Sequence, residues 1–101
     1  MSLEQARVVA EAARQRRAAL LAALASGDVS PADLERDRRA DEVKAVAIAE
    51  AAPGIGKVRA RRAVEQVGAP LSARWADLTP AQRQHLVEEL TSDGARPTTA
   101  P

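Results

Sequence analysis

Apolar positions fall into short groups at helical spacing, separated by proline, glycine and small polar residues. Leu3 to about Ser26 reads as one long helix stopped by Gly27, because glycine adopts the left-handed conformation found just past a helix end. Only its C-terminal half carries large apolar side chains at core spacing, Leu20, Leu21 and Leu24. The N-terminal half sets Arg7, Arg14 and Arg17 on one side with mostly alanine between them, so it has little to bury and is expected to project from the body. Ser30-Pro31-Ala32-Asp33 supplies a capping residue, a first-turn proline and an acid near the positive helix end, which opens a short helix to about Arg39. Val29 and Leu34 have the spacing of a hydrophobic staple across that start.

The third helix is expected from about Asp41 to Ala51, with Pro53 closing it, since proline drives the preceding residue out of helical geometry. The fourth runs from Gly56 to Gln66, with Gly68 as its stop. At about 100° per residue, Ala60, Ala63, Val64 and Val67 share one narrow face, leaving the opposite side almost wholly basic. Leu71 to Ala76 reads as a short helical piece holding Trp75. Thr79-Pro80-Ala81-Gln82 forms a capping box for a last helix to about Leu90, with Leu86, Val87 and Leu90 facing inward. Thr91 to Pro101 holds no apolar side chain larger than alanine or proline and is expected to be a disordered tail, residues 1–90 forming a single domain.

Composition changes this picture only by narrowing it. The chain of 101 residues is 46% hydrophobic but 1% aromatic, so alanine and a few aliphatic residues must build the core. Alanine favours helix and is depleted in strands, and no stretch alternates in the manner of a strand. The fold class is therefore all-α. Without cysteine there are no disulfides and no thiolate metal sites. No apolar run reaches the ~20 residues that span a bilayer, and the N-terminus lacks the pattern of a signal peptide, so a cytoplasmic protein with no membrane partner is expected.

The chemistry concentrates in residues 53–68. Gly54-Ile55-Gly56 joins two helices, and Lys57, Arg59, Arg61 and Arg62 follow with no acid among them. A Gly-x-Gly turn lets the backbone approach a phosphate closely, and the free N–H groups opening the next helix attract an anion. The arrangement resembles a helix-hairpin-helix grip for nucleic acid. A phosphate-binding nucleotide loop is excluded: it requires glycine at the position of Ala51, Ser or Thr at the position of Val58, and a preceding strand. The single histidine, His85, has no second histidine or cysteine and no spaced nucleophile, so neither a metal site, a cofactor nor catalysis is expected. The formal net charge of +1 is low for a nucleic-acid binder, and only local clustering of arginine supports that reading. Trp75 is taken as a core anchor rather than a base-stacking residue, and Arg36, Arg38 and Arg39 as a solvated face offset by neighbouring acids. Arg74 has the position of a phosphate or minor-groove contact as readily as that of an ordinary surface arginine.

At these residues the chain resembles the actinobacterial integration host factors. The match runs from Glu11-Ala12-Ala13-Arg14 and Arg16-Arg17-Ala18 through Pro53-Gly54-Ile55-Gly56-Lys57-Val58-Arg59-Ala60 to the last helix around Gln82, Arg83 and Leu86. The resemblance implies a long N-terminal helix on a compact bundle with a helix-two-turns-helix motif. It implies a nucleoid-associated, monomeric binder of duplex DNA with little sequence preference that affects DNA shape, supercoiling or recombination. Gly54, Gly56, Lys57, Arg59, Arg61 and Arg62 would grip the backbone, approached by Arg14 and Arg17 from the first helix and by Arg74. Where members commonly carry two or three arginines before the last helix, Ser72 to Leu78 has one, beside Asp77. Structured RNA, bound through a ribosomal-type version of the same motif, and a helical protein-interaction module are the alternatives to duplex DNA.

Overall fold

The computed structural model describes residues 2–95 and is built from four α-helices joined by 3-10 turns: α1 (Leu3–Ser26), α2 (Ala45–Ala51), α3 (Gly56–Gln66) and α4 (Pro80–Ala95). The first helix opens on a capping box that the sequence reading did not identify. The Ser2 hydroxyl accepts from the Gln5 N–H at 3.1 Å, and the Gln5 side chain accepts from the Ser2 N–H at 2.9 Å. Gly27 ends the helix in the left-handed conformation. Leu20 and Leu24 are fully buried, whereas residues 2–11 are all exposed. Thus α1 is anchored by its C-terminal turns and stands free over its N-terminal half, as the distribution of leucine predicts.

Four elements differ from the sequence reading, each for a physical reason. The helix expected from Pro31 to Arg39 is two 3-10 turns, Pro31–Arg36 and Arg38–Ala40. Asp37 between them is extended, and its carboxylate accepts from the Arg39 N–H at 3.0 Å, a local bond that competes with helix continuation. The helix expected to start at Asp41 starts instead at Ala45. Residues 41 and 42 form a turn, and Lys44 is extended and bridges Arg74 antiparallel: Trp75 N–H donates to Val43 C=O and Ala45 N–H to Ala73 C=O, both at 2.9 Å, and Ala76 N–H donates to Asp41 C=O at 3.2 Å. The same pairing holds Ala73 and Arg74 out of helix, so the turn at Trp75 is a 3-10 element, Trp75–Asp77. Finally, α4 continues to Ala95, five residues past Leu90. A helix already nucleated adds one bond per residue, and Thr91-Ser92-Asp93 contains no breaker. The rest of the expected tail, 96–101, lies outside the described residues.

The core gathers Leu20 and Leu24 of α1, Leu34, Val43, Ile48 of α2, Val64 of α3, Trp75 and Leu86 of α4. Trp75 is 2% exposed and is the largest side chain among them. On α3 the predicted face of Ala60, Ala63, Val64 and Val67 is the buried one. Its small side chains let α3 lie close against α2. Side-chain bonds then lock α4 to the rest. Thr79 and Gln82 form the predicted capping box at 2.9 and 3.0 Å, and the Gln82 amide donates to Val67 C=O at 3.2 Å. Arg83 donates to Glu35 and to Leu78 C=O, each at 2.7 Å. Among the described residues no buried side-chain polar atom lacks a partner, and no helix is long and apolar enough to cross a membrane.

Two outcomes follow from this packing. Trp75→Ala removes the largest buried side chain and is expected to cost about 3–5 kcal/mol, read as a lower denaturant midpoint. Amide exchange is expected to be faster for residues 3–14 than for 20–25, because only the latter are tied to the core; equal protection along α1 would contradict a free arm.

Candidate nucleic-acid interface

The two reversals between α2 and α3 are made by Gly54 (φ +80°) and Gly56 (φ +73°), and Ile55 between them is buried at 3% exposure. Ile55 pins the turn to the core while the glycines present bare backbone to solvent. Both φ values are strained for any residue with a Cβ, and nothing lies within 4 Å of where a Cβ would stand on either glycine. Glycine is therefore demanded by the backbone conformation and not by a crowding neighbour, and the space in front of the turn is open. Helix α3 begins at Gly56 with no side-chain cap and no acid in its first turn. Its leading N–H groups are presented to that space at the positive end of the helix dipole.

The four basic residues of α3 do not form one surface. Around the helix axis Lys57 and Arg61 lie on one flank of the buried face and Arg59 and Arg62 on the other. Val58, 69% exposed, and exposed Glu65 stand between them, on the side the sequence reading described as almost wholly basic. Lys57 and Arg61 flank the glycine turn. Arg59 and Arg62 border a shallow cleft with Ala63 and Gln66, closed on its far side by Glu89 of α4.

A second basic cluster assembles where α1 crosses the 41–44 segment. Arg16 and Arg17 of α1, Arg38, Arg39 and Arg74 line one cleft with Glu42, and Lys44 joins Arg17 and Arg74 in the adjoining hollow. Lys44 and Arg74 are partners in the antiparallel bridge. Their pattern of flanking bonds makes them a non-hydrogen-bonded pair, in which the two side chains emerge on the same face at close range. Like charges directly opposite each other destabilise such a pair. The fold nevertheless holds two cations there, with Arg17 and the carboxylate of Glu42 lining the same hollow. Asp77, adjacent in sequence, accepts from the Arg74 backbone N–H at 3.0 Å and so serves the turn.

Of the residues singled out from sequence, the structure brings Arg17 and Arg74 together, and Gly54, Gly56, Lys57 and Arg61 together. Arg14 lies with neither group: it is paired with Glu11 at 2.7 Å on the exposed arm. Trp75 is core, so no aromatic face is offered to a base. Sequence reasoning passed over Arg16, Lys44, Arg38 and Arg39 as site residues. Arg16 adjoins Arg17 in the basic run of the first helix, but no local signal marks Lys44, Arg38 and Arg39, which meet Arg74 only through tertiary structure. The Arg39 guanidinium forms a fork with Asp37, Nη2 to Oδ2 at 2.7 Å and Nε to Oδ1 at 3.0 Å. That side-chain bond holds the Asp37 carboxyl below its ordinary value and raises Arg39. Among the described residues no three His, Asp or Glu side chains are grouped to hold a metal ion.

Because its folded pKa is depressed, the Asp37–Arg39 contribution is intact above the ordinary aspartate value of 3.8 and is lost as pH falls through the lower folded value. Carboxyl titration by NMR is expected to place Asp37 below 3.8. Gly56→Val is expected to cost at least about 1–2 kcal/mol through backbone strain alone, measured by chemical denaturation.

A family model, the S13-like H2TH domain, matches residues 31–90. A solved structure, described as that of sIHF bound to an 8-bp palindromic DNA, is similar to this chain at 30% sequence identity and a TM-score of 0.72. The similarity covers 80% of this chain and 96% of the other. No curated protein matches.

Proposed function

The chain belongs to the S13-like H2TH family, and from that premise we propose that it is a non-enzymatic, nucleoid-associated binder of duplex DNA, of the actinobacterial integration host factor type. The observation that carries the reading is the open Gly54–Gly56 turn leading into an uncapped helix with Lys57 and Arg61 on its flank. The chemistry there suits a phosphate: main-chain N–H donors, a helix dipole and two cations beside them. The DNA-bound state of the similar solved structure supports the same partner.

A phosphate seated at the turn would accept from the leading N–H groups of α3, with Lys57 and Arg61 closing on its free oxygens. Arg59 and Arg62 on the other flank, and Arg14 on the arm, would reach more distant phosphates. The cleft of Arg16, Arg17, Arg38, Lys44 and Arg74, with Glu42 and the Asp37-paired Arg39 also on it, would give the protein a second basic surface, larger than the single arginine in residues 72–78 suggests. Two surfaces on one monomer would impose a path on the duplex, which is how a small protein alters DNA shape, supercoiling or recombination. Backbone contacts carry no base information, so binding is salt-steep and tolerant of sequence.

Gel shifts on two unrelated duplexes at low and moderate salt test this. Similar affinities for both, falling steeply with salt, are expected; no shift at micromolar protein and low salt would refute the function. Preferential displacement by a folded RNA would redirect it to RNA. Lys57→Ala and Arg61→Ala are each expected to weaken binding to both duplexes alike and to lower the log–log salt slope by about one. Arg17→Ala with Arg74→Ala is expected to do the same through the second cleft.

A further inference from the structure

We infer that Glu89 of α4 is an internal competitor for phosphate, occupying the Arg59/Arg62 flank of α3 and thereby setting how tightly the protein holds a polyanion. The inference rests on the proposed DNA-binding reading. It starts from the division of α3 into two flanks. Lys57 and Arg61 border the open glycine turn, where α4 does not reach. Arg59 and Arg62 border the cleft that Glu89 closes, together with Ala63 and Gln66. Glu89 is half-buried there, immediately before Leu90, where the expected helix ends and α4 continues to Ala95. A phosphate approaching this flank therefore meets a carboxylate in the same cleft as the two guanidinium groups, and their attraction for it is offset by repulsion from that like charge.

The fixed position of Glu89 gives the competition its force. Leu86 and Leu90, at 0% and 3% exposure, bury the helix face next to it, and Arg83 and Gln82 fasten the start of α4 to Glu35, Leu78 and Val67. The carboxylate cannot swing away with a loose helix. The consequence is an asymmetric grip: the Lys57/Arg61 flank carries the first phosphate contact, and the Arg59/Arg62 flank is held partly neutralised. Neighbouring Glu88 provides an internal comparison. It has the same charge but is exposed and lies on a different side of α4, beside Ala32, Glu35 and Gln84.

The test compares Glu89→Gln and Glu88→Gln with the parent on one 20-bp duplex over a salt series. Both substitutions remove one negative charge from the full chain. Glu89→Gln is expected to tighten binding about two- to fivefold at low salt, the range for one nearby surface charge removed, and to steepen the salt slope by about one. Glu88→Gln is expected to bind like the parent. Arg62→Ala should then cost more affinity in the Glu89→Gln background than in the parent, a coupling that a general charge effect does not produce. Equal affinity of parent and Glu89→Gln overturns the inference, as does an equal gain from Glu88→Gln, while leaving DNA binding itself standing. A parent that does not shift the duplex at all overturns the functional reading and this inference with it. Circular dichroism melts of each variant, expected to match the parent, separate a binding change from loss of fold.

Discussion

The architecture depends on a short backbone pairing between residues 41–45 and 73–76. Three N–H···O=C bonds join segments about thirty residues apart in sequence, and they do so at the point where Trp75 enters the core. An alanine-rich chain has few side chains large enough to define how its helices meet, since each alanine removes little surface from water. Directional backbone bonds and one indole supply the definition instead. The pairing closes the bundle on itself, fixes where α2 starts, and brings Val43 into the core from an extended segment. It also sets Lys44 and Arg74 side by side on the outer face. The stabilising and the functional consequences of the pairing are therefore two faces of the same two strands of chain.

The α-helices were legible in the sequence where their ends are chemically marked. Gly27, Thr79-Pro80 and the Gly54–Gly56 turn place the limits of α1, the start of α4 and the start of α3, because each mark acts through its own backbone geometry. The segment 37–45 was illegible for the opposite reason. Alanine, arginine, glutamate and lysine there favour helix locally, and the late start of α2 at Ala45 arises from bonds to residues 73–76 that no local pattern reveals. The end of α4 was misjudged because polar residues were read as a stop when only a missing donor or a special φ provides one.

The candidate site divides along the same line. The glycine turn was legible because positive φ restricts the residue type, and that restriction appears in the sequence as two glycines around a single apolar residue. Arg17 and Arg74 were named, yet the cleft they belong to was not, since Arg38, Arg39 and Lys44 become neighbours of Arg74 through tertiary structure. Helical periodicity placed the buried face of α3 correctly and treated the remainder as one basic surface. The distinction between its flanks comes from α4, which places Glu89 in a cleft with Arg59 and Arg62 on one of them. Low net charge also reads differently in the folded protein. Asp37–Arg39 and Glu35–Arg83 pair one acid with one base each and leave the net charge unchanged, so the basic surfaces come from where the other arginines and lysines are placed.

The free half of α1 behaves mechanically as a lever. Leu20 and Leu24 form its fulcrum, and from Leu20 to Leu3 the helix extends about 25 Å at 1.5 Å per residue. A tilt of roughly 10° at the fulcrum displaces the tip by about 4 Å, close to one base-pair step, while leaving every hydrogen bond of the helix intact. The arm can thus follow a curved or a straight partner with no change in its own structure. Compliance resides in the joint and stiffness in the rod, so the reach of Arg7 and Arg14 is set by how firmly two leucines are seated.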